Sequence, residues 1–445
     1  MKIEICTIGG YSEVGKNMTA IKIDNDVVIL DMGFYMPKVV SLSEEETAVS
    51  EFSRDELIGI GAAPDDSVIS EWEGCVRAII LSHAHLDHIG AVPYLASKYR
   101  CPIFATPYTI GVLKSLFFDE GIKIRNHLKQ INPNSRIRIS NNIVLEFINI
   151  THSTLQTVVI ALHTKIGSII YANDYKFDNH PIVGKRPNYK RLGEISKRGV
   201  IALITDSLYS DKRMKTPSEK VAREMLKDVM LGTNNTGKAV FVTTFASHIA
   251  RLKSIVDFAK MMNRKIVFLG RSLGKYTNVA QKLNLISFGR EVEIYSGRRK
   301  VDEKLKDINR NREKYVVVCT GNQGEPNSTL CRVAYNETPF KFGIEDQVIF
   351  SCKTIPDPVN TANRAMLEDK LEKQNVRIFK DIHVSGHAAR EDHRDFIHLL
   401  KPQHIIPAHG DVTKLTAMAE LATELGYVLG ETVHITRDGQ KMEII

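Results

Sequence analysis

Apolar residues in the first two hundred positions fall into short runs that stop abruptly at a polar side chain. Val27 to Leu30 ends at Asp31, Val76 to Leu81 (interrupted by Arg77) runs into His83, and Val144 to Ile150 into Thr151-His152. Ile169 to Ala172 ends at Asn173-Asp174, and Val200 to Ile204 at Thr205-Asp206. Short apolar runs bounded by turn formers read as buried strands. The spacing between them predicts helices over Ile89 to Tyr99 and Thr109 to Glu120.

From about Ser207 the rhythm changes to helix–strand alternation. Ser218 to Leu231 reads as an amphipathic helix opened by Pro217. Ala239 to Thr243 follows as a strand, Ala246 to Met262 as a helix, and Lys265 to Leu269, Tyr315 to Cys319 and Gln347 to Ser351 as further buried strands. Such alternation favours a parallel sheet covered by helices. The first style returns in Asp381 to His387 and His404 to Asp411. No repeat or low-complexity linker separates the parts. A chain of 445 residues exceeds one ordinary core, and the pattern describes an α/β domain inserted into a split, β-rich one.

The strand ends carry the chemistry. His83-Ala84-His85-Leu86-Asp87-His88 packs three imidazoles and one carboxylate into six residues, the ligand types that zinc, manganese and iron accept. In α/β folds the C-terminal ends of strands are where such residues gather. His152 and Asp174 stand at two further strand ends, and His409 precedes Gly410-Asp411. A carboxylate, acceptor-only with two oxygens, is suited to bridging two ions. His127, His163, His180, His393, His398 and His434 lack such a setting and read as surface or core residues.

Composition narrows the setting. The six cysteines include no C-x-x-C pair, which argues against a zinc ribbon or a disulfide framework and fits a reducing compartment. No apolar stretch reaches the roughly 18 residues of a spanning helix. Met1 to Ile5 starts at once as an alternating strand without a signal-peptide core. The expected location is cytoplasmic, away from membranes. Sixty basic against 52 acidic residues give a net charge of +8. Lys185-Arg186, Lys190-Arg191, Lys197-Arg198, Lys212-Arg213, Arg298-Arg299-Lys300 and Arg310-Asn311-Arg312 concentrate it in the middle of the chain. Each cluster alone reads as solvated surface; together they suggest a nucleic-acid surface.

Asp31 in Leu30-Asp31-Met32-Gly33, the H-x-H-x-D-H run, His152 and Asp174 resemble the metallo-β-lactamase superfamily. Asp206 in Thr205-Asp206-Ser207, His387 in Val384-Ser385-Gly386-His387-Ala388 and His409 in Pro407-Ala408-His409-Gly410 resemble the extra motifs of its β-CASP branch, which processes nucleic acid. Gly9-Gly10-Tyr11-Ser12-Glu13-Val14-Gly15-Lys16-Asn17-Met18, Gly270-Arg271-Ser272 and Thr320-Gly321-Asn322-Gln323-Gly324-Glu325-Pro326 resemble the ribonuclease J family, over essentially the whole chain. Where that family usually continues its third-motif histidine with Pro-Asp-Ser, this chain reads His152-Ser153-Thr154-Leu155-Gln156-Thr157. It also ends soon after His409, as the short archaeal members do.

The resemblance implies a metallo-β-lactamase αββα sandwich with an inserted β-CASP α/β domain, divided as 1–206, 207–362 and 363–445. It implies two divalent ions, zinc as the bound species and manganese or magnesium as alternatives for activity. His83, His85 and His152 would hold one ion, Asp87, His88 and His409 the other, and Asp174 would bridge them. Asp31 and Asp206 would support ligands without binding metal. Asp87, Asp174 and His387 would serve catalysis, His387 contacting the scissile phosphate or protonating the leaving oxygen. The implied activity is hydrolysis of RNA by a metal-activated water, 5′→3′ from a 5′-monophosphate, with endonucleolytic cutting as a second capacity, in RNA decay or maturation. Ser247, Arg271, Ser272, His383, Ser385 and His387 are the expected contacts of the terminal phosphate; helix capping is the competing reading for Ser247 and Ser272. The expected partners are single-stranded RNA and a second copy of the chain. Alternatives are an endonuclease like the polyadenylation-factor branch, a small-molecule hydrolase on the same scaffold, and a non-catalytic RNA-binding platform.

Overall fold

The computed structural model describes residues 1–44, 48–289, 291–355 and 358–445. The chain forms two compact units, one of residues 1–179, 185–216 and 385–445, the other of residues 180–184 and 217–384.

In the first unit two sheets stack. One runs in the order Gln440–Glu443, Ile3–Gly9, Met18–Ile23, Asp26–Leu30, Val76–Ile80, Ile103–Ala105, Leu128–Gln130. The other runs His404–Ala408, Val200–Asp206, Ser168–Ala172, Val158–His163, Val144–Asn149, Arg136–Arg138. Alternate residues point to opposite faces of a strand, so Ile5, Val28, Leu30 and Ile80 of one sheet meet Phe147, Ile160, Tyr171 and Ile204 of the other in a shared core. The far face of the second sheet, with Val159, Ile170, Leu203 and Ile405, packs on helices Tyr189–Ser196, Arg390–Leu400 and Val412–Glu424. The strands His404–Ala408, Val200–Asp206 and Ser168–Ala172 are mutually parallel. Their C-terminal ends therefore deliver His409, Asp206 and Asp174 to the same edge.

The second unit is the expected parallel sheet, ordered Val292–Tyr295, Lys265–Leu269, Tyr315–Cys319, Val240–Thr243, Gln347–Phe350, Arg377–Phe379. Its core joins Phe241, Val267, Val317 and Val348 to Leu305 and Leu330 of the covering helices.

Three expectations differ from what is seen. The continuous helix over Ile89 to Tyr99 is instead three short pieces, Leu86–Ile89, Val92–Leu95 and Ala96–Lys98. Pro93 lacks the amide that a helix interior needs and so sits at the start of its own helix. The second limit expected between the domains, 362/363, runs through helix Pro358–Glu372. Strand Arg377–Phe379 beyond it pairs with Gln347–Phe350 and completes the parallel sheet, so the chain leaves the second unit only after Val384. At the first limit, residues 207–216 stay with the first unit, where Arg390 donates its backbone amide to Lys212 O and Tyr209 bridges to Ala389.

Candidate metal centre

Strand ends from both sheets of the first unit converge on one buried carboxylate. Asp174 Oδ2 faces His83 Nε2 at 3.4 Å and His152 Nε2 at 3.3 Å. Its other oxygen, Oδ1, faces His88 Nε2 at 3.2 Å and His409 Nδ1 at 3.8 Å. His85 Nδ1 lies 3.1 Å from His83 Nε2 and 3.2 Å from His152 Nε2. Asp87 Oδ2 lies 3.6 Å from His88 Nε2 and 4.0 Å from His409 Nε2. One group thus unites His83, His85, His152 and Asp174, and a second Asp87, His88 and His409.

The donor set fits two divalent cations. Three ring nitrogens crowd one point around His85 Nδ1, where neutral rings cannot all supply hydrogens. Asp174 Oδ1 is buried with no hydrogen-bond partner among the described residues, a cost that a cation removes. Burial among other imidazoles pushes His85 and His152 well below the ordinary histidine range and lowers His83 as well; neutral imidazole is the form that ligates. Burial also works against charge on His88, but Asp174, Asp87 and Asp31 hold it well above that range. The same carboxylates favour a cation in place of that proton.

The outward ring atoms are fixed by partners, as ligating histidines require. His88 Nδ1 donates to Asp31 Oδ2 at 2.8 Å, and His152 Nδ1 to the Gly386 carbonyl at 2.7 Å. Asp31 also accepts from Ser82 N, Ser82 Oγ and Tyr171 OH, so its oxygens are spent on support. It adopts a left-handed backbone (φ 58°), as does His409 (φ 56°), a conformation uncommon in residues other than glycine.

His387 stands beside the cluster, its Nε2 3.8 Å from Asp174 Oδ2 and its Nδ1 donating to Asp206 Oδ2 at 2.9 Å. Burial opposes its charge, yet Asp174 and Asp206 raise its pKa to about 9. Ser385 shapes the turn before it, accepting from His387 N at 3.0 Å. The loop after His152, where the family pattern is broken, is anchored by Gln156, whose Oε1 accepts the Tyr108 amide.

The remaining expected phosphate contacts lie in the second unit. Arg271 and Ser272 are exposed at the start of helix Arg271–Lys282, and Ser247 is buried just before helix Ile249–Met261. Neither serine caps its helix: the N-caps are Gly270 and His248. His383 is half-buried with no partner on Nδ1, and burial together with Arg251 and His248 drives its pKa down to about 2.

Two groups of residues escaped sequence reasoning. The Asn17 side chain donates to Asp87 O at 3.0 Å, lies 3.1 Å from His88 Nε2, and places Oδ1 3.1 Å from His409 Nδ1, while Asn173 donates to that same oxygen. Its signal is position alone, at the end of the Gly9–Met18 motif. In the second unit Arg251, fully buried, forms a two-pronged pair with Glu219 and donates to Ser351 and to the Ile382 carbonyl.

Comparison with known proteins follows this geometry. A metallo-beta-lactamase superfamily model matches residues 75–199, a ribonuclease J beta-CASP domain model residues 237–368, and a model described as a Zn-dependent metallo-hydrolase RNA specificity domain residues 374–435. Ribonuclease J of Methanocaldococcus jannaschii is 47% identical over 442 residues, covering 99% of this chain and 98% of that one. The chain belongs to the ribonuclease J family. Ribonuclease J of Pyrococcus abyssi is 45% identical over 444 residues, again with 99% and 97% covered. Ribonuclease J of Helicobacter pylori is 30% identical over 450 residues, covering 99% of this chain and 61% of that one. A crystal structure of a protein of unknown function from Enterococcus faecalis V583 covers all of both chains at a TM-score of 0.67 and 16% identity, a likeness of fold. As a ribonuclease J the chain is a metal-dependent hydrolytic ribonuclease built on a metallo-β-lactamase domain with a β-CASP insertion.

Proposed function

We propose that this chain degrades single-stranded RNA from the 5′ end, preferring a 5′-monophosphate, with endonucleolytic cutting as a second capacity. The observation that carries the reading is Asp174, whose two oxygens each face a separate set of histidine nitrogens beside an imidazole aimed at the same carboxylate. His83, His85, His152 and Asp174 would hold one divalent ion, zinc by the chemistry of the donors, and Asp87, His88 and His409 with Asp174 a second. Two such ions, when bound, neutralise charge on the scissile phosphate and make water a nucleophile at neutral pH. Asp206, which accepts from Nδ1 of His387, favours a proton on this ring. Its Nε2–H meets a phosphate oxygen or hands its proton to the departing 3′ oxygen. Asp206 holds the ring through Nδ1 and sets which nitrogen faces the substrate.

Ser247, Arg271, Ser272, His383, Ser385 and His387 are assigned to the terminal phosphate by motif position. The cysteines form no disulfide and no helix among the described residues is long and apolar enough to cross a membrane; both support a cytoplasmic enzyme. We assign it a homodimeric state, which sedimentation at working concentration checks.

End-labelled RNA tests the reading. Mononucleotides should leave the 5′ end of monophosphorylated RNA, more slowly from triphosphorylated or hydroxyl-ended RNA, and not at all with Asp87→Ala. Equal degradation of all three ends would remove the phosphate preference. Rapid cutting of circular RNA would make the enzyme chiefly an endonuclease. Replacing His387 by Ala should lower kcat by about 10²–10⁴-fold with both metals retained.

A further inference from the structure

The edge of the second sheet carries basic residues that the metal centre does not use. The edge strand Arg136–Arg138 is exposed along its length. Nearby, the loop leading into helix Tyr189–Ser196 exposes Lys185 and Arg186, and the first turn of that helix exposes Lys190. Asparagines clamp the two segments together. Asn188 Nδ2 donates to Asn134 Oδ1 at 2.8 Å, and Asn149 N to the same oxygen at 3.0 Å. Asn149 Nδ2 donates to the carbonyls of Lys185 and Arg186 at 3.2 and 2.9 Å. The loop is therefore fixed beside the start of the edge strand.

The cations there are not neutralised. Arg136, Arg138, Lys185, Arg186 and Lys190 make no ion pair among the described residues, whereas the nearby acids are occupied. Glu146, opposite Arg136 in the ladder, pairs with Arg191 at 2.6 Å and His163 at 2.7 Å. Glu194 pairs with Arg191 at 2.8 Å. Charged side chains on an edge strand deter unwanted sheet pairing, but that role asks nothing of Lys185, Arg186 or Lys190.

The patch has a direction. The edge strand pairs with Val144–Asn149, with Arg138 opposite Val144 and Arg136 opposite Glu146. That strand then runs to His152. At about 3.3 Å per residue, Val144, opposite Arg138, lies roughly 26 Å and the clamp at Asn149 roughly 10 Å from His152 along the partner strand. A file of cations thus leads towards the metal centre within one unit.

We propose that this edge, formed by Arg136, Arg138, Lys185, Arg186 and Lys190, is an RNA-backbone site that holds the body of a substrate whose reacting phosphate lies at the metal centre. The proposal rests on the ribonuclease reading above. Forked guanidinium groups and lysine ammonium groups are the side chains that recognise phosphate oxygens without regard to base. The occupant is a stretch of RNA, read by charge.

Two charge-reversal variants test it, Arg136→Glu with Arg138→Glu, and Lys185→Glu with Arg186→Glu. Binding is measured on the metal-loaded protein with a hydrolysis-resistant phosphorothioate RNA of about 30 nucleotides and one of about 5, across a salt series. Affinity for the long RNA should fall about tenfold or more in each variant, and the slope of log affinity against log salt should flatten by about one for every phosphate the variant no longer neutralises. Cleavage of an unmodified RNA of about 5 nucleotides should keep its kcat. Unchanged long-RNA affinity and salt slope would overturn the proposal, as would equal losses for the long and short RNAs. Capture of an acidic protein with RNA affinity unchanged would also overturn it. If a reversal lowers the melting temperature, Arg136→Gln with Arg138→Gln supplies the same measurement with less perturbation. The ribonuclease reading fails separately, by end-labelled RNA left intact by the unaltered protein.

Discussion

Asp174 can address two ions because its neighbours leave both of its oxygens free to do so. Asn173, one residue earlier, turns away and donates to Asn17, which in turn braces the group formed by Asp87, His88 and His409. The His409 ring presents Nε2 to that group when its Nδ1–H is accepted by Asn17 Oδ1. Replacing Asn17 by Ala should therefore weaken one ion by about 10–100-fold and leave the other in place. Chelator competition with metal counting by elemental analysis checks this; equal loss of both ions would contradict it. The candidate ligands were legible in the sequence because metal chemistry needs histidine and carboxylate at strand ends, and few other demands cluster them so. Asn17 was not. An asparagine near glycines reads as a turn residue, and nothing local announces a contact with His409, 392 positions away.

At the scale of elements, Arg251 on helix Ile249–Met261 ties three segments of the second unit: helix Glu219–Gly232 through Glu219, strand Gln347–Phe350 through Ser351, and the chain at Ile382. A buried ion pair is not a large source of stability, but breaking one leaves a buried charge alone. Arg251→Met should destabilise the second unit by about 3–5 kcal/mol, seen as a lower denaturant midpoint, while metal binding in the first unit is unchanged. The four central strands of this unit, Val240–Thr243, Lys265–Leu269, Tyr315–Cys319 and Gln347–Phe350, were legible to within about one residue because buried parallel strands are continuous apolar runs; the edge strands Val292–Tyr295 and Arg377–Phe379 were not. The helices were less so where glycine and proline intervene, as between His88 and Lys98. Helix Ile249–Met261 begins three residues later than its apolar pattern suggests, since His248 caps it by accepting the Arg251 amide.

For the whole molecule, acid is the condition that separates folded from unfolded most sharply. His393 is buried against Tyr175, and burial lowers its pKa to about 4, against about 6.5 in an unfolded chain. Between those values the unfolded chain binds a proton that the folded one refuses, so stability falls as pH drops from about 6.5 to about 4. Glu146 adds a second window: its bonds to His163 and Arg191 hold its pKa down at about 2 against the burial that opposes them. Its stabilisation is present above the unfolded value of about 4.3 and lost as pH falls towards 2. Denaturant midpoints should thus decline from pH 7 to pH 4, less steeply in His393→Asn; a flat profile would contradict the assignment. The insertion itself was legible because histidines reappear after it. Its far limit was not, because strand Arg377–Phe379 is short and only half-buried and gives little apolar signal.

The order in which the first unit is written along the chain has a temporal side. His83, His85, Asp87, His88, His152 and Asp174 all precede the second unit, whereas His387 and His409 follow it. A ribosome therefore makes the whole second unit before strand His404–Ala408 can dock beside Val200–Asp206 and bring His409 to Asp87. Until then Asp87 and His88 lack the third member of their group, and Asp174 lacks the neighbouring imidazole of His387.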